Sequence, residues 1–205
     1  FILVIWYAFT DYQTGAFTLD NVVNSSTYLP VLIKSVSLAF IATLICLLIA
    51  YPLAYIMSKK SAAVQRAFMM LIMLPMWMNF LLRTLAWQTL LEKNGVINSI
   101  LNFLHLPEQS IINTPSAIVL GMVYNFLPFM VLPIYNVLSK IDKDVIHAAR
   151  DLGANTAQTF FKIIMPLSIP GIISGITMVF VPSLTTFVIS DLLGGSTVSY
   201  THLTL

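Results

Sequence analysis

The chain has 205 residues, of which 58% are hydrophobic and only 9% are charged, with a formal net charge of +2. A soluble domain carries about 25% charged residues, so this balance excludes an ordinary soluble domain and points to a chain that sits in lipid. No patch of interleaved basic and aromatic residues accompanies the small positive charge, so nothing suggests nucleic acid as a partner.

A membrane-spanning helix needs about 20 mostly apolar residues. Phe1–Phe9 reads as the tail of one span, leaving the membrane near Thr10 into a polar external stretch, Asp11–Tyr28. The chain starts with Phe rather than Met, and we read it as an internal piece of a longer chain. Ser35–Ser58 is free of charge and predicts a span from about Pro30 to Met57. Ala67–Leu82 is also uncharged and predicts the next, from about Phe68 to Leu90. Leu91–Pro115 reads as an external excursion, with Asn94, Gly95 and Asn98 marking turns around a short helix. Uncharged Gln109–Ser139 predicts a span from about Ser116 to Leu138, and Ile163–Ser190 a last one from about Leu167 to Leu193, stopping at Gly194-Gly195. The expected fold is an all-α polytopic transmembrane bundle forming one domain, 1–197.

Charge placement sets the orientation. Lys59, Lys60 and Arg66 share one short loop, and Lys140, Lys143, Arg150 and Lys162 another segment. The other side keeps Lys34, Arg83 and Lys93 with most of the acids. The positive-inside rule puts the two basic segments in the cytoplasm.

Pro52, Pro75, Pro128, Pro133 and Pro182 fall inside expected spans, and Pro170 near the start of one. Each removes a backbone hydrogen bond, which lipid tolerates only where neighbours satisfy the freed carbonyl. Gly121, Gly171, Ser174 and Gly175 are small enough to let helices approach closely. Arg83 admits two readings: an ionisable group at depth with a role in transport, or a side chain snorkelling beside Trp87 at the outer end. Asp191 either attracts a cationic solute or caps the junction at Gly194. Trp77, Asn79, Tyr124 and Asn125 are polar or amphipathic groups within spans, available to cargo or to bonds between helices.

Catalytic chemistry is missing from the pattern. His105, His147 and His202 are scattered without metal-ligand spacing, Cys46 is alone, and no P-loop is present, so the chain is not read as an enzyme.

The segment before the last span, His147–Pro166, reads HAARDLGANTAQTFFKIIMP. Asp142 is placed to cap a first helix carrying an apolar stripe of Val145, Ile146, Ala149 and Leu152. Gly153 sits where a left-handed residue would stop it. Asn155 can cap a second helix running until Pro166. This spacing, with Ala148-Ala149, Gly153 and Pro166 fixed, resembles the cytoplasmic loop of ABC-importer permeases, with His147 at the family's glutamate and Met165 at its leucine. The segments TPSAIVLGMVYNFLPFMVLPIY, LPMWMNFLLRTLAW, NGVINSILNFL and FVISDLLGG are similar to permeases of the spermidine/putrescine branch.

The resemblance implies a type I importer fold. It further implies two permeases, an ABC ATPase dimer holding ATP and Mg, an extracytoplasmic binding protein and a small cationic solute, with no cofactor bound by this chain. It gives His147, Ala148, Ala149, Asp151, Gly153 and Pro166 as the ATPase-coupling residues, in a multi-pass protein of the bacterial cytoplasmic (inner) membrane. A permease for another small solute is the alternative within the family. A stand-alone channel or secondary transporter is the alternative outside it. The family has a sixth span after Asp191, and this sequence ends before one. Val198–Leu205 does not resemble the family's continuation. We read it as a non-native, adapter-derived tail.

Overall fold

In the computed structural model, residues 6, 9, 10, 17, 29–93, 95–103, 107, 111–186 and 189 are described. The expected first span, the external stretch 11–28, Asn94, Asp191, the stop at Gly194-Gly195 and the tail 198–205 lie wholly or mainly outside them. The chain divides into two units, Phe1–Ser37 and Leu38–Leu205. In the first, Thr10 and Phe17 form an isolated antiparallel bridge, with the Phe9 and Phe17 rings stacked at 5.9 Å.

The described regular structure is otherwise helical: α1 (Leu29–Ser58), α2 (Ala62–Met73), α3 (Phe80–Leu91), α4 (Val96–Phe103), α5 (Pro115–Leu138), α6 (Lys143–Asp151), α7 (Thr156–Thr159) and α8 (Met165–Thr185). Three stretches are long and apolar enough to cross a membrane, Leu32–Ser58, Pro115–Leu138 and Thr156–Thr185, and a fourth counts if one bent pair is a single span. The chain is thus an all-α polytopic protein.

Within the second unit α5 is the axis of the core. Ile118, Met130, Val131 and Ile134 are fully buried along it. On α1 a seam of small residues, Ala39, Ala42, Cys46, Ala50 and Ala54, is fully buried, while Phe40, Leu44 and Leu48 on the other faces are exposed. Spacings of three and four put that seam on one side of the helix, and its short side chains let the backbones close up. The Cys46 thiol lies 3.8 Å from the Val123 carbonyl as a result.

The α5–α8 contact uses the same device. A Cβ at Gly171 would stand 2.9 Å from the Pro133 carbonyl oxygen and 3.1 Å from Ile134 Cα; at Gly175 it would meet Met130 Sδ at 2.7 Å. Helices without a water-driven force between them depend on such close packing. Pro52, Pro128, Pro133, Pro170 and Pro182 all lie inside continuous helices, so none of them ends a span.

Three expectations need correction. The span from Phe68 to Leu90 is not one helix: α2 runs into a 3-10 turn, Leu74–Trp77, and the axis turns by 90° before α3. Pro75 opens the tight turn, and Asn79, extended at φ −56 and ψ 134, starts a new helix by accepting the Leu81 N–H at 2.8 Å. Asn98 does not mark a turn. It is buried within α4 and donates back to the Lys93 carbonyl at 3.1 Å. The turn belongs to Gly95, where a Cβ would collide with the Leu90 and Thr89 carbonyls at 2.6 Å.

Third, the helix after the elbow does not end at Pro166. A π turn, Phe160–Ile164, leads straight into α8, with the Met165 N–H reaching the Phe160 carbonyl. A proline ring clashes with the carbonyl four residues before it, and widening that turn moves the carbonyl aside so the helix continues.

The two basic segments meet at one end of the unit. Ser58, Lys59 and Lys60 share a cavity with Ser139 and Ile146, and Tyr135 Oη donates to Gln65 Oε1 at 2.9 Å. The charge-based topology requires that meeting.

Candidate functional site: a helical elbow and a broken span

The elbow is built from local hydrogen bonds. Asp142 Oδ1 accepts the Asp144 N–H at 3.0 Å and opens α6. At the far end the Gly153 N–H reaches the Arg150 carbonyl at 2.8 Å and the Ala154 N–H the Ala149 carbonyl at 3.0 Å. This pair of bonds is the Schellman motif, which needs a left-handed residue after the helix. Gly153 supplies it at φ +84, and a Cβ added there would meet only open space, so backbone angle alone demands glycine. Asn155 then forms a capping box with Gln158: Gln158 N–H donates to Asn155 Oδ1 at 2.8 Å, and Asn155 N–H to Gln158 Oε1 at 3.0 Å. Two orphan donors are satisfied and α7 starts in a fixed direction.

The elbow is anchored by its second leg. Phe160 stands edge-on to Tyr55 at 5.1 Å and to Tyr51 at 5.9 Å, and Tyr51 Oη pairs with Ser168 Oγ at 3.0 Å. The first leg is half seated. Ile146 and Ala149 turn inward, and Ala149 is 8% exposed. Val145 is 44% exposed and Leu152 is 89% exposed. His147, Ala148, Asp151 and Pro166 are exposed as well. The sequence stripe therefore divides into a half that turns to the bundle and a half with no cover among the described residues.

The second constellation gathers at the broken span. The break moves Arg83 from the outer end of a span to the first turn of α3. Its side chain is 8% exposed and folds back, so that Nη1 donates to the Pro75 carbonyl at 3.0 Å across the bend. The Phe80 ring lies 5.9 Å from the guanidinium. Nε is buried without a partner, and no carboxylate pairs with Arg83 among the described residues. Asn79 caps α3 beside it, while Trp77 projects from the bend, 87% exposed. Tyr124 is brought in at one remove, its ring 5.2 Å from Trp87, one turn beyond Arg83. Asp191 lies outside the described residues.

Asn125, expected as a polar group within a span, is buried: its Nδ2 donates to the Gly121 carbonyl at 2.8 Å and its Oδ1 has no partner. Two polar groups escaped the sequence reading: Ser183 Oγ is buried without a partner, and Gln65 bridges the α1–α2 turn to Tyr135. Periodicity marks such positions only as polar residues in apolar runs. Among the described residues no three His, Cys, Asp or Glu side chains gather as a metal would need.

Residues 50–204 match the family model described as the binding-protein-dependent transport system inner membrane component. The chain belongs to this family. It is 42% identical over 194 residues to the spermidine/putrescine transport system permease protein PotB of Haemophilus influenzae, covering 92% of this chain and 68% of that protein. To the protein of the same name in Escherichia coli it is 42% identical over 184 residues, covering 88% and 67%. To the inner membrane ABC transporter permease protein YdcU of Escherichia coli it is 31% identical over 217 residues, covering 94% and 69%. The chain thus spans about two thirds of the length of these relatives. It is a multi-pass inner-membrane component of a transport system, and its relatives are permeases rather than enzymes.

Proposed function

We propose that this permease forms half of the translocation pathway of an ATP-driven ABC importer for polyamines, in the bacterial cytoplasmic membrane. It couples to an ATPase dimer through His147–Pro166. A second permease completes the pathway, an extracytoplasmic binding protein delivers a small cationic solute, and ATP and Mg reside on the ATPase. The 42% identity to two permeases named for spermidine and putrescine supports the cargo.

The observation that carries the coupling role is the half-seated elbow. A helix rigidly capped at both ends, with Val145 and Leu152 bare at the basic end, presents a stiff apolar edge to a neighbouring subunit. Its stiffness would let a push on α6 reach α8 through Phe160 without being absorbed. His147 and Asp151 add polar contacts beside that edge.

Uptake of radiolabelled spermidine by the assembled importer in proteoliposomes, measured alongside ATP hydrolysis, tests this reading. Gly153→Pro should abolish uptake while hydrolysis continues; unchanged uptake would remove the coupling role. A broken span with a buried cation is also what a stand-alone transporter uses. That reading requires uptake to persist when ATP hydrolysis is blocked.

A further inference from the structure

The cavity at the basic end measures about 400 Å³. It lies between the α1–α2 turn, the end of α5 and the elbow, with Ile141, Ile146 and Ile164 in its wall. Lys59 and Lys60 line it, and no acidic residue does. Lys59 Nζ donates to Tyr55 Oη and lies 3.9 Å from the centre of that ring, which leaves two ammonium hydrogens. The Lys60 ammonium bonds no described residue. Segments 59–66 and 140–162 together carry seven basic residues and three acidic ones, Asp142, Asp144 and Asp151.

Two helices end at this cavity, and their carbonyls would favour a cation. Those carbonyls are already occupied. Gln65 Nε2 donates to the Lys60 carbonyl at 2.9 Å and the Ser58 carbonyl at 3.3 Å, and the Lys140 N–H reaches the Val137 carbonyl at 3.1 Å. Two full positive charges then outweigh the residual half-charges of the helix ends.

Gln65 also lines a second space, an apolar groove of about 570 Å³ along α2. The groove passes Met69, Met70 and Met73 and ends at Trp77, with Arg66 at its basic end. At about 1.5 Å per residue, Arg66 and Trp77 stand roughly 16 Å apart. A basic head site that shares a residue with a long, methionine-lined track fits an amphipathic anion; a free anion would leave the track unused. Basic pockets between membrane helices on the cytoplasmic side hold lipid head groups by this chemistry.

We infer that Lys59, Lys60 and the groove from Arg66 to Trp77 bind an anionic phospholipid, its phosphate at the lysines and an acyl chain along the methionines. The occupant touches the elbow at Ile146 and Ile164. That this contact tunes transport rests on the coupling role proposed above; the binding itself does not.

The test uses the importer assembled with its natural subunits in phosphatidylcholine nanodiscs, titrated with fluorescent phosphatidylglycerol. Each lysine near an anionic head group is worth about fivefold in affinity, so Lys59→Gln with Lys60→Gln should weaken binding about 25-fold. Lys140→Gln, at the same end but outside the cavity, should leave it unchanged, and Lys59→Arg with Lys60→Arg should retain it, which guards against misfolding. Equal losses in Lys140→Gln and the double variant, or no loss in either, would overturn the site in favour of general surface attraction. Displacement of the lipid by inorganic phosphate, or binding of phosphate alone, would overturn the lipid assignment. The titration reads lipid binding and not transport, so it decides the site even if the coupling role fails.

Discussion

The elbow and the broken span both interrupt membrane helices, and they do so by different means. At the elbow every interruption is local: Asp142 caps, Gly153 turns left-handed, Asn155 and Gln158 cap again. At the broken span the local devices are Pro75 and Asn79, and the bend is tied by a long-range bond from Arg83 to the Pro75 carbonyl eight residues back. The first leaves Val145 and Leu152 exposed and holds its shape through bonds within its own turns. The second buries a cation to hold its shape against itself. A joint held by its own turns and a joint stitched across a bend are told apart by where their hydrogen bonds go.

The largest expected effect breaks the first joint. Gly153→Pro cannot reach φ +84 and also removes the N–H that bonds Arg150. Spermidine uptake by the assembled importer should fall more than about tenfold, the loss that a shift of about 1.4 kcal/mol in a two-state coupling equilibrium gives. Next comes the second joint: Arg83→Met leaves the Pro75 carbonyl without its donor, and thermal unfolding should report a loss of about 1–3 kcal/mol. Arg83→Lys should recover only part of it, since an ammonium lacks the fork that spans the bend. Gly153→Ala sharpens the comparison, because no atom lies within 4 Å of the new methyl. Its cost should be the left-handed backbone term alone, about 1–2 kcal/mol, with uptake reduced but not abolished. The smallest effects are matched caps: Asn155→Ala and Asn79→Ala should each cost about 1 kcal/mol. Uptake should respond to the first more than to the second.

The same contrast explains what the sequence disclosed. Gly153, Asp142 and Asn155 act on backbone within three residues, so their types and spacing spell out the turn before any coordinates exist. The close approach at Gly171 and Gly175 was legible too, because close helix packing tolerates little else, whereas the alanine seam of α1 was not singled out. The 90° bend was not, although Pro75 and Asn79 are its agents: the run Ala67–Leu82 is uncharged and long enough to mask them. The helix running on through Pro166 was missed because a π turn leaves no mark in residue spacing. Arg83 was visible as an ionisable residue in an apolar run, but its partner is a backbone carbonyl across a bend, and no pattern names that. The stripe Val145, Ile146, Ala149 and Leu152 was legible as a stripe; its division into covered and bare halves depends on α5 and the π turn.

The most direct test of the coupling claim is a photo-crosslinking amino acid placed at Leu152, and separately at Trp77, in the assembled importer. Both positions are exposed, at 89% and 87%, so reach alone cannot distinguish them. The account predicts that the probe at Leu152 captures the ATPase subunit and the probe at Trp77 does not. Capture of the ATPase from Trp77 but not from Leu152, or from neither, would contradict it.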